Sequence, residues 1–260
     1  MNYRTLSHVS IASLMALSLA ACGQQAGTPN SSAAPASPVS DGATLSGNTA
    51  APDAATDADA ETAFAALVSE FEAFELANSP DERGRRGDLV AAGQWPDISP
   101  DALAAQFAAE AGFLARLEAI DAASLSQSDQ VSHAVLDYIL RFRTELAPFD
   151  EARIAFNSDS GFFFWPSYAA SSARPRTIAE GEAWIARING IAGYFQQNID
   201  WMQRGLETGF TQPRIIAESA AAQVAGLSDP ATLRAILIEP IDGLPVALPA
   251  AERARLHAEA

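Results

Sequence analysis

The side chains that most often carry hydrolytic or metal chemistry are few in this sequence. It contains three histidines, His8, His133 and His257, and a single cysteine, Cys22. A catalytic zinc ion needs several His, Asp, Glu or Cys ligands at close spacing, and the arrangement His-Glu-x-x-His does not occur. His133 does not share the apolar stripe of its helix, so we predict a partly exposed helix residue there. We therefore predict no metal-binding residue in this chain.

The motifs of nucleophilic and phosphate chemistry are absent from the sequence as well. Neither the Gly-x-Ser-x-Gly motif of hydrolase nucleophiles nor the Gly-x-Gly-x-x-Gly motif of dinucleotide sites occurs. Glu70 and Glu72 are close in sequence, as are Glu180 and Glu182. Residues two apart on a helix do not face each other, so these pairs are poor candidates for acid-base catalysis. The residues themselves predict no catalytic centre.

The charge balance excludes further classes of protein. The formal net charge is −16, and every basic side chain is an arginine. Binding to nucleic acid requires a basic surface that faces the phosphates. A helix that lies on anionic lipid needs a basic face for the same reason. We therefore expect no nucleic-acid partner.

The first 21 residues have the order of a bacterial export signal. Arg4 precedes the apolar run Val9–Leu19, which is too short to span a bilayer. Leu19-Ala20-Ala21-Cys22 resembles the cleavage site of lipoproteins, in which the cysteine receives diacylglycerol and an N-acyl chain such as palmitate. Gly23 in the next position resembles the lipoproteins of the outer membrane, which face the periplasm. The alternative is an ordinary secreted protein with a chance cysteine at this place.

Residues 22–60 have the composition of a linker. They are almost entirely Ala, Ser, Pro, Thr, Gly, Asn and Asp, and Val39 and Leu45 are the large apolar exceptions. Such a segment cannot bury enough apolar surface to offset the entropy of ordering. We predict a disordered tether between the lipid bilayer and a folded body.

From Glu61 the apolar residues recur at helical spacing, and the pattern predicts an all-α fold. Four of the later helices are predicted to begin at a capping side chain, and these are Ser99, Ser126, Thr177 and Asp229. The third helix carries an apolar stripe, which on an amphipathic helix faces the core, formed by Val131, Val135, Tyr138, Phe142 and Leu146. We predict an irregular multi-helix array with one long helix over about 178–207, which ends at Gly209.

An aromatic-rich loop over 149–176 interrupts this array. Phe162, Phe163, Phe164 and Trp165 follow one another directly and precede Pro166. One interpretation makes the run a wall of an apolar substrate cleft, with Trp165 facing it. The other interpretation is that the aromatic side chains fill the core, and it is favoured because the run carries no chemistry of its own.

The sequence pattern predicts a helix that begins at Ala250 and has no terminating glycine. A helix of this length is marginal in isolation. We therefore expect 61–260 to be the N-terminal part of a larger domain.

Four stretches resemble the family of exported bacterial proteins known as domain of unknown function 885. The resemblance covers about 61–260 and depends on the order and spacing of the stretches. The first runs from Asn78-Ser79-Pro80 to Trp95-Pro96-Asp97-Ile98-Ser99, the second is Leu117–Leu125, and the third is Asn157–Phe162. The fourth runs from Ala186-Arg187-Ile188 through Met202-Gln203-Arg204-Gly205 to Arg214.

This resemblance implies a helical relative of the gluzincin-type zinc metallopeptidases. Family members carry His-Glu-x-x-His in a C-terminal half that this sequence lacks. Zinc is therefore expected only in that half, which would be a partner of this chain. Arg204 and Arg214 could line the cleft and bind the carboxylate of a peptide substrate. The alternative, that they brace the turn between Gly205 and Pro213, is favoured because arginines at helix ends often satisfy terminal carbonyls.

Two functions remain open from the sequence. In the first, the chain is the membrane-anchored, non-catalytic part of a zinc-dependent metallopeptidase-like hydrolase and is inactive alone. In the second, it is a self-sufficient helical envelope lipoprotein that acts as a binding or scaffold module.

Overall fold

The computed structural model describes residues 54–260, which fold as α-helices joined by short loops and 3-10 turns. In this part of the chain the only strand-like pairing is an isolated bridge between Phe156 and Gly161. The all-α prediction is confirmed. The helices in chain order are α1 (Ala54–Ala77), α2 (Pro80–Arg85), α3 (Leu89–Ala92), α4 (Pro100–Glu118), α5 (Gln127–Leu146), α6 (Trp165–Ser172), α7 (Ile178–Asn189), α8 (Ile191–Thr208), α9 (Arg214–Leu227), α10 (Pro230–Asp242) and α11 (Ala250–Glu259).

The predicted signal peptide, Cys22 and most of the predicted tether lie outside the described residues. The first helix begins at Ala54 rather than at Glu61, since the Ala-rich residues before Glu61 continue it. Ala60 packs against the core beneath α1. Within the described range, no helix is long and apolar enough to cross a membrane.

The predicted helix starts agree with the structure. In each case the side chain of the capping residue accepts a hydrogen bond from a backbone N–H of the first turn, at Ser99, Ser126, Thr177 and Asp229. Thr177 and Glu180 form a complete capping box. Gly209 ends α8 with a φ of 69°, a left-handed conformation that favours glycine.

Three clusters of apolar side chains hold the helices together. Helices α1, α4 and α5 enclose the first cluster, which includes Phe71, Leu117 and Leu140. Helices α6, α7, α10 and α11 enclose the second, where Trp184 Nε1 donates a hydrogen bond of 2.8 Å to the carbonyl oxygen of Leu237. The third cluster lies between α8, α9 and the aromatic run.

The prediction for the core-facing side of α5 is wrong. Leu136 and Leu140 are the buried residues of this helix. Val131 is 62% exposed and Tyr138 is 71% exposed, although both belong to the predicted core stripe. The helix is apolar on two sides, and packing against α1 and α4 selected the side with the leucines.

The predicted long helix over 178–207 is two consecutive helices, α7 and α8, which meet at Gly190. A Cβ atom at Gly190 would lie 3.0 Å from Cδ1 of Trp95, so the indole packs directly against the break. The dipeptide Asn189-Gly190 is typical of turns, so the sequence did contain a signal for the break between the two helices.

The predicted aromatic-rich loop over 149–176 contains a helix of its own, α6, with Pro166 in its first turn. The residues before α6 form short 3-10 turns. Asp150 joins two of these turns in a left-handed conformation with a φ of 52°.

Replacing Gly205 by alanine should destabilise the protein by about 1–3 kcal/mol, because α8 is packed closely there. A Cβ atom at this position would lie 2.8 Å from the carbonyl oxygen of Phe210. Gly193 lies in the same helix, and nothing lies within 4 Å of an added Cβ atom. Gly193→Ala should therefore stabilise the protein by about 0.5–1 kcal/mol. Urea unfolding measures both variants, and equal effects would contradict this account.

Candidate functional site

The segment Trp95–Ser99 is hydrogen-bonded across the junction of α7 and α8. Trp95 Nε1 donates to the carbonyl oxygen of Arg187 at 2.7 Å. Trp201 Nε1 donates to the carbonyl oxygen of Ile98 at 2.6 Å, and the Ile98 N–H donates to Gln197 Oε1 at 3.0 Å. The first and the last of the four family-like stretches therefore meet at this junction.

Arg187 is the charged residue at the centre of this junction. Its side chain is 12% exposed, and its guanidinium lies 4.6 Å from the ring centroid of Trp95. It forms an ion pair with Asp81 of α2. Tyr194 stacks on the Trp95 ring with the ring centroids 4.9 Å apart, and burial raises the pKa of the Tyr194 hydroxyl to about 12. Arg187 thus has a structural role, because its guanidinium packs on Trp95 and pairs with Asp81.

Arg204 braces the 3-10 turns that precede the aromatic run. Its Nε donates to Asp150 Oδ2 at 2.7 Å, and its side chain is 55% exposed. Arg153 contacts the same carboxylate at 3.6 Å and lies 4.2 Å from the ring centroid of Phe210. Arg204 therefore braces the turn at Asp150. The bracing interpretation had named a different turn, the one between Gly205 and Pro213.

Arg214 and Trp165 are the other two residues predicted for a substrate cleft. Arg214 is 91% exposed and lies 3.8 Å from Glu218 in its own helix. Trp165 is 37% exposed and makes an edge contact with Tyr168 at 5.8 Å. Among the described residues, no hydrogen bond, ion pair or ring contact joins Arg204, Arg214 and Trp165 to one another. Their assignment to a substrate cleft stays a prediction.

The aromatic run is divided between the core and the surface. Phe162 and Phe163 are 8% and 7% exposed, respectively, and pack with Ala220 of α9. Phe162 also meets Phe195 of α8 edge-on at 5.0 Å. The core-filling interpretation therefore holds for the first two phenylalanines, and Trp165 is the partly exposed end of the run.

The turn Asn157–Gly161 is tied to the segments that follow α8. Asn157 Oδ1 accepts hydrogen bonds from two backbone N–H groups of the turn. Gln212 Nε2 donates to the carbonyl oxygen of Phe156 at 2.7 Å, and Gln223 Nε2 donates to that of Ser158 at 3.1 Å. The third family-like stretch and the residue before it are thus held by Gln212, near the end of the fourth stretch, and by Gln223 of α9.

Metal ligands are not clustered in the part of the chain that the structure describes, where no three His, Cys, Asp or Glu side chains could hold an ion together. His133 is half-buried, with Nε2 3.2 Å from the carbonyl oxygen of Leu117 and its ring 5.8 Å from that of Phe64. His257 lies 3.3 Å from Asp242 on the surface. The residues present therefore do not fit a zinc site.

The exposed apolar side of α5 is a surface feature that the core does not explain. We name it the α5 face and define it by Val131, Val135, Tyr138 and Phe142. Tyr138 and Phe142 stack at 6.2 Å, and Phe142 is 40% exposed. An open groove of about 550 Å³ runs along the face, bordered by uncharged side chains that include Gln127, Gln130 and Ala134. This groove is a place for another apolar surface to bind.

These features define an all-helical protein over the described residues 54–260. The chain belongs to the family described as bacterial protein of unknown function (DUF885), whose match covers residues 80–260. This match includes every element from α2 onward. Searches of curated proteins and of solved structures found no match.

Trp95→Phe should destabilise the protein by about 1–2 kcal/mol, because it removes the hydrogen bond to Arg187 and leaves a small cavity. Trp165→Phe is the matched control, since its indole makes no hydrogen bond within the described residues. We expect the control to change stability by less than about 0.5 kcal/mol. Urea unfolding followed by circular dichroism measures both, and equal losses would argue against a role for the junction.

Proposed function

We propose that this chain is the non-catalytic helical part of an envelope-anchored, zinc-dependent hydrolase that acts on peptides or related amides. The observation that carries the proposal is the α5 face, an apolar side of a well-packed helix that has no partner among the described residues. Membership in the family and the resemblance to zinc metallopeptidases supply the class of reaction.

The spacing of the α5 face indicates what it binds. Its residues follow one another at intervals of four, three and four, which is the seam by which one helix packs against another. Val131 and Tyr138 are 62% and 71% exposed. Contiguous exposed apolar side chains on a soluble protein mark interaction sites. The proposed occupant is an amphipathic helix of the catalytic part of the hydrolase.

The scarcity of zinc-binding side chains in this chain is the reason for assigning zinc to the catalytic part of the hydrolase. Three histidines and one cysteine are available in the whole chain, and its described residues hold no group fit for zinc. Zinc, when bound by the catalytic part, would lower the pKa of a bound water for attack on a carbonyl. No step of that reaction is assigned to this chain. We propose that Arg214, which is 91% exposed, meets an anionic group of a substrate.

The location of the protein is proposed from its N-terminal sequence. Lipid attached to Cys22 would hold the chain in a bilayer, and more than one acyl chain makes such anchoring stable. Gly23 favours the outer membrane, on the side that faces the periplasm. The segment up to residue 53 would then separate the helices from the lipid surface.

Lipidation can be tested with a palmitate analogue in a Gram-negative host. Wild-type protein should incorporate the label and sediment with the outer membrane, whereas Cys22→Ser should incorporate none. Gly23→Asp is the matched control, because it keeps the cysteine and should move the labelled protein to the inner membrane. Label on the Cys22→Ser protein would contradict lipidation at this residue.

The α5 face can be tested by coexpression with a tagged His-Glu-x-x-His-containing part of a family member. Tyr138→Glu should weaken copurification at least about tenfold, since it places a charge in the apolar seam. Val246→Glu is the control, because Val246 is 83% exposed and lies in the loop between α10 and α11. Both variants should keep the wild-type circular dichroism spectrum.

Zinc content distinguishes the two functions left open by the sequence. The copurified complex should carry zinc, and this chain alone should carry none. Stoichiometric zinc in the chain alone would overturn the proposal. A stable monomer that does not bind the catalytic part would instead support an independent binding or scaffold module.

A further inference from the structure

Glu110 is a carboxyl group enclosed by three helices. It lies on the inner side of α4 and is 1% exposed. The register of the sequence places it with Phe107 and Leu114 on the apolar stripe of α4, at intervals of three and four. A glutamate in that register is the signal that sequence reasoning missed.

The two oxygens of Glu110 have different surroundings. Oε1 accepts hydrogen bonds of 3.1 Å from Gln106 Nε2 and from Arg143 Nη1. Oε2 is buried and has no hydrogen-bond partner in the described part of the chain. A buried acceptor without a partner is costly when it carries negative charge.

Arg143 of α5 is shared between two carboxylates. It forms two hydrogen bonds with Glu75 of α1, at 2.7 and 3.0 Å, and one with Glu110. Its side chain is 18% exposed, and its guanidinium lies 5.8 Å from the ring centroid of Phe71. Arg143 therefore makes its two-bond interaction with Glu75 and only a single hydrogen bond with Glu110.

The charges of this cluster do not balance when both carboxyl groups are ionised. Glu75 faces Glu110 from α1, Arg143 faces it from α5, and Gln106 is its uncharged neighbour on α4. One guanidinium then opposes two carboxylates, which leaves a net negative charge, and Glu110 is the carboxylate that is shielded from water, at 1% exposure against 32% for Glu75. A proton on Glu110 would make the cluster neutral.

We propose that Glu110 is a proton-binding site that makes the joint between α1, α4 and α5 sensitive to pH. With the proton bound, the cluster is neutral and the three helices pack most stably. Loss of the proton places an uncompensated charge between them and weakens the joint. The inference does not depend on the hydrolase proposal, because it concerns groups within one folded body.

The direction of the effect follows from the burial of Glu110. Desolvation raises the pKa of its carboxyl group above the ordinary value, against the opposing effects of Gln106 and Arg143. A group with a raised pKa in the folded state stabilises the fold fully at low pH. That stabilisation is lost as the pH rises through the folded-state pKa.

The test compares urea unfolding of the full chain with that of Glu110→Gln between about pH 4 and pH 8. Glutamine keeps the shape and cannot ionise. As the pH rises, the folded-to-unfolded ratio of the wild type should fall relative to the variant, about tenfold for each unit by which the pKa is raised. Glu72→Gln, at an exposed position of α1, should follow the wild-type pH dependence. Parallel curves for the wild type and Glu110→Gln would overturn the proposal.

A direct titration covers the case in which Glu110→Gln fails to fold. The Cδ resonance of Glu110 in the ¹³C-labelled wild-type chain, assigned through the backbone, reports its protonation. The midpoint should lie above the ordinary value of 4.5. A midpoint at or below that value would overturn the proposal whatever the behaviour of the variant.

Discussion

The hydrogen bonds between the Trp95–Ser99 segment and the junction of α7 and α8 join parts of the chain that are 92 to 103 residues apart. They replace the water that the indole N–H groups and backbone carbonyls would otherwise bind, so the two parts can pack without unsatisfied polar groups. Gly190, where the two helices meet, provides the space for Trp95, because a Cβ atom there would lie 3.0 Å from Cδ1 of the indole. The arrangement of the later helices against the earlier ones depends on it.

Helix α5 shows how one element can serve two surfaces. Leu136 and Leu140 enter the core with α1 and α4, while Val131 and Tyr138 remain exposed on the opposite side. The exposed side is apolar but bordered by glutamines, in a chain that is strongly acidic overall. The side chains that line this groove therefore add no negative charge of their own to the repulsion of an acidic partner.

Two guanidinium groups that are mostly shielded from solvent lie where helices from different parts of the chain meet. Arg187 lies at the junction of α7 and α8, and Arg143 lies between α1, α4 and α5. Each guanidinium combines an ion pair with a position near an aromatic ring. Such groups tolerate few alternative packings, because a shifted helix would leave a buried charge without its partner.

The sequence by itself determined the all-α class, the capping residues at Ser99 and Thr177, and the end of α8 at Gly209, since these depend on local backbone hydrogen bonds. The sequence also contains the four stretches that carry the family resemblance. Only the tertiary structure decided which side of α5 is buried, where the helix over 178–207 divides, and that Glu110 shares Arg143 with Glu75. These outcomes depend on contacts between distant segments, and helical periodicity does not record which neighbour a side chain will meet.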